Sequence, residues 1–531
     1  MHFKKSMIKI TKNRWLLILP ALYWAPCAFA DYKDDIGYTA LQHLLGTKTP
    51  TGANVNVSQA EASSVGPTDP AYPSYSSEIT NSQFASKNFS FPGVASKSVS
   101  GHATGVGALF YGSDSIAYGI NNITSHEANA WIQSLLTTTA SPPVNGNRVA
   151  NHSWVGNGNT PAETGIILRL VDRQVKNNEF IQVVGMANSS NNSPLLGSAY
   201  NVIAVGRTDG GHDHGSDAID STYGVGRTRP DLVAPQLVTS TAAPIVSAAA
   251  ALLVETGHSG ELKLSRNSAL ISGIGTVYNA ERANTIKAAL MAGADRKTVN
   301  SFATANITDY RSTGHQTGNG LDDRFGAGQL NILHSYQIIT AGEQKSLEDG
   351  GDNKGEIGSN GFNYDASFGG SFGSNSTATY RFKAEANLNL TASLVWNLDV
   401  SNNADLNTTL HNLNLELYDV TAKSTSAFSK SAIDNTENLW VNLKTGHSYE
   451  LLVKSGETSE FSWDYALAWH INPVNTAPPP LSVALFLFAS SVTAKLRFIA
   501  IAAMHRYGKK LLIMLPPDSI MPRTNTPPIK K

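Results

Sequence analysis

The chain has 531 residues, 41% of them apolar, enough for a large core and at least one further domain. Formal charges nearly cancel at −1, yet residues 31–472 hold 27 basic against 40 acidic residues, which argues against nucleic acid as a partner. The single cysteine, Cys27, falls among the first thirty residues, so the remainder has no disulfide framework and no cysteine-peptidase chemistry.

Residues 1–30 carry Lys4, Lys5, Lys9, Lys12 and Arg14, then an apolar run from Trp15, and finish at Ala28-Phe29-Ala30. This is the charged, apolar and small-residue layout of a secretory signal peptide, and Pro20 and Pro26 speak against an uncleaved anchor. The mature chain is expected to start at Asp31 and to be secreted or held in the cell envelope. From Ile36 to Ser335, short β-branched runs such as Ile181-Gln182-Val183-Val184 and Val202-Ile203-Ala204-Val205 alternate with helical patterns such as Ala242 to Glu255. That alternation predicts an α/β domain over 31–343, doubly wound around a mainly parallel sheet. Residues 344–378, rich in Gly, Asn, Ser and Asp, read as a linker or surface loops. Calcium is the only ion that Asp349, Asp352, Asn353 and Glu356 suggest, and their spacing does not fit the EF-hand pattern. No metal-ligand or nucleotide-binding motif occurs, so no cofactor is expected.

Over 379–472 the period becomes two, at Leu413, Leu415 and Leu417, at Tyr449, Leu451 and Val453, and at Trp463, Tyr465, Leu467 and Trp469. Turn clusters between these runs predict a smaller antiparallel β-sandwich, with the aromatic residues either in its core or forming a binding platform. The tail over 473–531 combines Pro478-Pro479-Pro480, an apolar stretch broken by Lys495 and Arg497, and a basic cluster at 505–510. It loosely resembles bacterial membrane-sorting tails, and reads either as a weak membrane anchor or as a disordered tail. Oligomeric state is not legible.

Within the α/β region, chemistry-bearing residues sit at strand ends and helix starts. The strand-like Gly52-Ala53-Asn54-Val55-Asn56-Val57-Ser58-Gln59-Ala60-Glu61 puts Gln59 and Glu61 on one face; Glu61 is either a solvated strand end or an acid with reach toward a neighbour. Asp69 is a further acidic candidate. His102 lies among small residues in Gly101-His102-Ala103-Thr104-Gly105-Val106-Gly107-Ala108, which would let a helix approach the sheet closely. Strands ending in Asn151-His152-Ser153-Trp154-Val155-Gly156 and in Val183-Val184-Gly185-Met186-Ala187-Asn188 bring polar side chains to one edge. Ser240, in Thr239-Ser240-Thr241-Ala242-Ala243-Pro244, stands where a helix begins, either as an N-cap or as a hydroxyl at the positive end of the helix dipole.

Taken together, the segments around His102 and Ser240, with Arg229-Pro230-Asp231-Leu232-Val233-Ala234-Pro235, resemble the signatures of the subtilisin-like serine peptidases. The resemblance spans residues 36–335 and implies a secreted endopeptidase acting on protein or peptide substrates. Ser240 takes the nucleophile's place, His102 the general base's and Asn188 the oxyanion donor's, while Ser153, Trp154 and Val155 take the substrate-binding strand's. Gln59 falls in the register of the family's aspartate, so Glu61 is the acid expected to orient His102. Ala187 and Val238 replace family glycines, and only Gln236, Leu237 and Val238 separate Pro235 from Thr239. Few residues precede Gly52 for the folding pro-domain common in the family. These departures keep open a catalytically inactive binding or adhesion protein of the same fold.

Overall fold

The computed structural model describes residues 31–63, 74–93, 98–138, 143–189, 193–296, 314–370, 373 and 375–474. The expected signal peptide with Cys27, the acidic candidate Asp69 and the tail beyond Val474 lie outside the described residues.

Seven strands build the main sheet: β1 (Val57–Glu61), β2 (Asn88–Ser90), β3 (Asn122–Glu127), β4 (Val149–His152), β5 (Ile181–Gly185), β6 (Ile203–Arg207) and β7 (Leu232–Ala234). They are ordered β2-β3-β1-β4-β5-β6-β7 and every pairing is parallel. A parallel sheet is covered on both faces, so its strands read as continuous apolar runs. Adjacent residues of β5 show the two faces. Val183 packs with Ala242, Ile245 and Val246 of the long helix Thr239–Gly260, whereas Val184 packs with Trp131, Ile167 and Leu168 of helices Ala128–Thr138 and Pro161–Asn178. Successive strands are added on opposite sides of β1, and open α/β sheets form their sites outside the carboxyl ends of the strands at such a switch point.

In chain order the helices that matter are α1 (Gly101–Phe110), α2 (Ala128–Thr138), α3 (Pro161–Asn178), α4 (Thr239–Gly260) and α5 (Ala283–Ala292). Among the described residues α4, run on to Lys263, is the one helix long and apolar enough to cross a membrane, and it lies mostly buried in the protein's core. Every residue of α5 is buried, Lys287 included. Its ammonium lies 3.1 Å from Asp231 Oδ1 and donates to the Val202 carbonyl at 2.7 Å; burial, the largest influence, brings its pKa down to about 8. Asp231 also accepts from the Ala204 amide at 2.7 Å, so the Pro-Asp segment ties β6 and β7 to α5.

The second layer system consists of two four-stranded antiparallel sheets. One holds Asn360–Phe368, Trp463–Pro473, Leu388–Trp396 and Thr436–Asn442; the other holds Thr377–Lys383, Ser448–Ser455, Leu413–Asp419 and Ser424–Ser429. Leu413, Leu415, Leu417, Leu451, Val453, Tyr465, Leu467 and Trp469 all point into the core between them. The alternate aromatic residues are therefore core, and Trp463 packs against its edge.

The expected linker over 344–378 requires correction, because Asn360–Phe368 is a strand of the sandwich. Its Gly and Asn neighbours dilute the composition, but the aromatic residues bury. A bulge between Asp365 and Phe368 turns the strand over: Phe362 and Tyr364 enter the α/β core and Phe368 enters the sandwich core. In the segment where calcium was suggested, Asp349 is engaged by Arg266 at 3.0 Å, and Asn353 Nδ2 donates to the Glu356 carbonyl at 3.1 Å. Among the described residues a group with metal-ligand spacing occurs elsewhere, at His315, Asp322 and Asp323. Asp322 there already accepts the Arg324 and Phe325 amides.

Candidate active site

Glu61 is the last residue of β1 and is 1% exposed. His102 is the second residue of α1, whose preceding Ser100 caps the helix by accepting from the Ala103 amide at 3.2 Å. Glu61 Oε2 and His102 Nδ1 are 2.8 Å apart, while the imidazole is half exposed. The residue two positions earlier serves the same group. Gln59 donates from Nε2 to Glu61 Oε1 at 2.9 Å and to the Ala103 carbonyl at 2.9 Å, and its own oxygen accepts from the Tyr111 hydroxyl. Gln59 thus holds both the carboxylate and the start of α1 in place. Its role was hidden from the sequence because Tyr111 and Ala103 are remote from β1 along the chain.

Burial pushes the Glu61 carboxyl above the usual carboxylate range, with the bonds to His102 and Gln59 opposing it. The bond to Glu61 raises His102 above its ordinary value, against a smaller effect of burial. The small residues around His102 act more locally than expected. A Cβ at Gly107 would come within 2.5 Å of the Tyr111 hydroxyl, whereas Gly101 and Gly105 face open space.

Ser240 is the second residue of α4 and not its N-cap; Val238, two residues earlier, holds that position without any side-chain cap. The missing cap is supplied from β5. Asn188 Oδ1 accepts from the Thr239 amide at 2.9 Å and from the Thr239 hydroxyl at 3.3 Å. With its oxygen so held, the Asn188 Nδ2 has no acceptor among the described residues, and neither does the Ser240 amide. Both are donors at the start of α4, the positive end of a 22-residue helix.

Pro244 lies in the second turn of α4, not the first. Lacking an N–H, it cannot bond the carbonyl four residues back, which is that of Ser240. Ser153 fills the vacancy: its hydroxyl donates to the Ser240 carbonyl at 2.9 Å. Ser153 Oγ is in turn bonded by Asn151 Nδ2 at 2.9 Å, and Asn151 Oδ1 accepts from Ser247 at 3.0 Å. A polar chain therefore fixes the backbone of Ser240 against the end of β4.

Among the three residues expected to bind substrate, Ser153 thus anchors the nucleophile candidate through its side chain. Trp154 is only 8% exposed and its indole packs with Trp131, Ile167 and Leu168, so its side chain belongs to the core. Val155 is exposed and lines a pocket with Gly185, Met186 and Ala187. A larger cavity of about 610 Å³, lined among others by Arg266, Arg282, Glu343 and Tyr364, includes none of these residues.

The helices carrying His102 and Ser240 pack against each other. No hydrogen bond within 3.5 Å joins the Ser240 hydroxyl to His102 Nε2, which has no partner among the described residues. The site thus brings Glu61 to His102, and Asn188 and Ser153 to the start of α4, with a gap between the two halves.

No family model matches the sequence, and no curated protein matches it. Solved structures with a similar fold include the PatG macrocyclase domain, at 14% identity and a TM-score of 0.37, covering 58% of this chain and 96% of that one. The serine protease MycP1, described as an essential component of the type VII (ESX-1) secretion system, is similar at 15% identity and a TM-score of 0.33, with 59% and 90% covered. Tripeptidyl peptidase 2 is similar at 12% identity and a TM-score of 0.26, with 72% and 41% covered.

Proposed function

We propose that the chain is a serine endopeptidase of the secreted or envelope kind, hydrolysing peptide bonds through an acyl-enzyme on Ser240. The observation that carries this reading is the buried Glu61 carboxylate bonded at 2.8 Å to the Nδ1 of a half-exposed His102. A carboxylate so placed fixes the imidazole with Nδ1 protonated, leaving Nε2 as a base. His102 Nε2 takes the Ser240 proton as the hydroxyl oxygen attacks the scissile carbonyl. The resulting oxyanion is bonded by Asn188 Nδ2 and the Ser240 amide. His102 then returns the proton to the leaving amine, and water, deprotonated by the same imidazole, releases the acid product and restores Ser240. A protein or peptide is the substrate in this scheme, and neither metal nor nucleotide takes part in it.

A second reading, a non-catalytic binding or adhesion protein, is favoured by the absence of a hydrogen bond between Ser240 and His102. Reaction with a fluorophosphonate probe separates the two. Labelling of the mature chain that is lost in Ser240→Ala, together with cleavage of casein, supports the peptidase; no labelling and no cleavage from neutral to alkaline pH supports the second reading.

A further inference from the structure

Tyr111 stands at the far end of the helix that carries His102, closing α1 with its amide donating to the Gly107 carbonyl at 2.9 Å. Its side chain is fully buried, with the rings of Phe84, Phe89 and Phe110 centred 5.4, 5.9 and 5.6 Å from its own. A hydroxyl in such an aromatic cluster needs a polar partner, and it finds one in the Gln59 oxygen. Ser77 closes the group, its Oγ lying 3.2 Å from the Tyr111 hydroxyl and 3.0 Å from the Ala103 carbonyl. Burial raises the Tyr111 pKa well above its ordinary range, the bond to Ser77 opposing and the charge of Glu61 adding to the rise. The hydroxyl therefore keeps its proton and is a permanent donor.

Every polar atom of the Gln59 amide is then committed. Its oxygen accepts from Tyr111, the one donor it has among the described residues, and its two N–H groups go to Glu61 Oε1 and to the Ala103 carbonyl. Turning the amide over would set its oxygen against two acceptors. With Oε1 of Glu61 occupied in this way, Oε2 is the oxygen that meets His102 Nδ1. The same amide grips Ala103, the neighbour of His102 in α1, so it holds both partners of that contact. Tyr111 itself has no hydrogen bond to Glu61, His102 or Ser240 among the described residues.

We propose that Tyr111 is a positioning residue for the base: acting through Gln59, it locks the amide that aims Glu61 Oε2 at His102 Nδ1. The effect on rate rests on the endopeptidase reading, whereas the lock itself can be read at His102 without catalysis. Without the hydroxyl, the Gln59 oxygen is a buried acceptor with no donor, and the amide gains a reason to shift away from Glu61.

Two measurements on the full chain test this. Tyr111→Phe keeps the ring in its cluster and removes only the hydroxyl; Gln59→Met keeps the length of the side chain and removes the amide. In the first measurement, kcat and KM for a peptide substrate are followed across the acid limb in the parent, both single variants and the double variant. The expected result is a kcat lowered about fivefold or more in Tyr111→Phe and about tenfold or more in Gln59→Met, with KM within about twofold and the limb moved to lower pH. Because one residue acts through the other, adding Tyr111→Phe to Gln59→Met should change kcat by less than about twofold. A kcat in Tyr111→Phe equal to the parent's, or losses that multiply in the double variant, overturns the inference while leaving the peptidase standing. In the second, His102 is titrated by NMR in the Ser240→Ala chain, its signal assigned with His102→Gln. Glu61, across from β1, is the ionisable group that acts on His102, so this titration reports on the pair. Its pKa should lie above 6.5 and move toward that value in both Tyr111→Phe and Gln59→Met. A titration that neither variant moves overturns the lock, whether or not Ser240 reacts.

Discussion

Replacing Glu61 with glutamine keeps the size of the side chain and removes the charge. The carboxylate is almost fully buried and 2.8 Å from His102 Nδ1, so it is poorly screened at its own end, although the imidazole is half exposed. A hydrogen bond to a charged group at such a site contributes about 1.5–3 kcal/mol. In the transition state the imidazolium that forms loses this stabilisation, and a glutamine NH₂ facing Nδ1 favours the wrong tautomer. Loss of an oriented base costs about 10²–10⁴ in rate, or about 3–5 kcal/mol in the barrier. The variant also changes the pH profile. The base must be neutral to act, so activity rises with pH through the His102 pKa. Glu61 holds that pKa above its ordinary value of 6.5, and the acid limb of kcat/KM in the parent protein should lie above it. In Glu61→Gln the limb should move to lower pH while the plateau falls. A peptide substrate assayed from pH 5 to 10 reads both quantities. A variant with the parent's limb and a plateau within about threefold would refute the argument that Glu61 orients and charges the base.

The polar chain at the start of α4 predicts a rescue. Ser153→Ala should cost about 1–3 kcal/mol of stability, because the Ser240 carbonyl loses the Ser153 hydroxyl, and adding Pro244→Ala should recover much of that loss by restoring the helical N–H; equal urea midpoints for the single and double variants would count against it. Acid should destabilise the fold through its buried histidines: burial lowers His152 to about 3, and both His126 and His212 to about 4. A depressed folded pKa means stability that is present above the unfolded value near 6.5 and lost as pH falls below it. Urea midpoints at pH 4 and 7 should therefore differ less in His152→Gln than in the parent.

Much of this was legible in the chain because periodicity reports burial. The sandwich strands alternate large apolar and other residues, and the parallel strands run apolar throughout, so both layers could be read. Glu61 was found by the same rule, since strand alternation puts it on the face of Gln59 and gives it reach to His102. What remained hidden depends on partners distant in sequence. Gln59 is meaningful only with Tyr111 and Ala103 beside it, and Ser153 only with the carbonyl that Pro244 leaves free. Trp154 looked like an edge residue because its neighbours are polar, and the strand inside the Gly- and Asn-rich segment was masked by average composition.

Helix α5 has a wider consequence. Its residues are buried between α4 on one side and the sandwich on the other, where the small side chains of Ala466 and Ala468 let strand Trp463–Pro473 lie against it and Thr391 donates to the Ala292 carbonyl at 2.6 Å. The two layer systems therefore share one interior rather than meeting at a wet boundary. Shortening the chain before the sandwich would uncover α5, the helix whose Lys287 secures β6 and β7 through Asp231. The β-rich half is thereby part of the interior that holds the parallel sheet together, not a separable appendage.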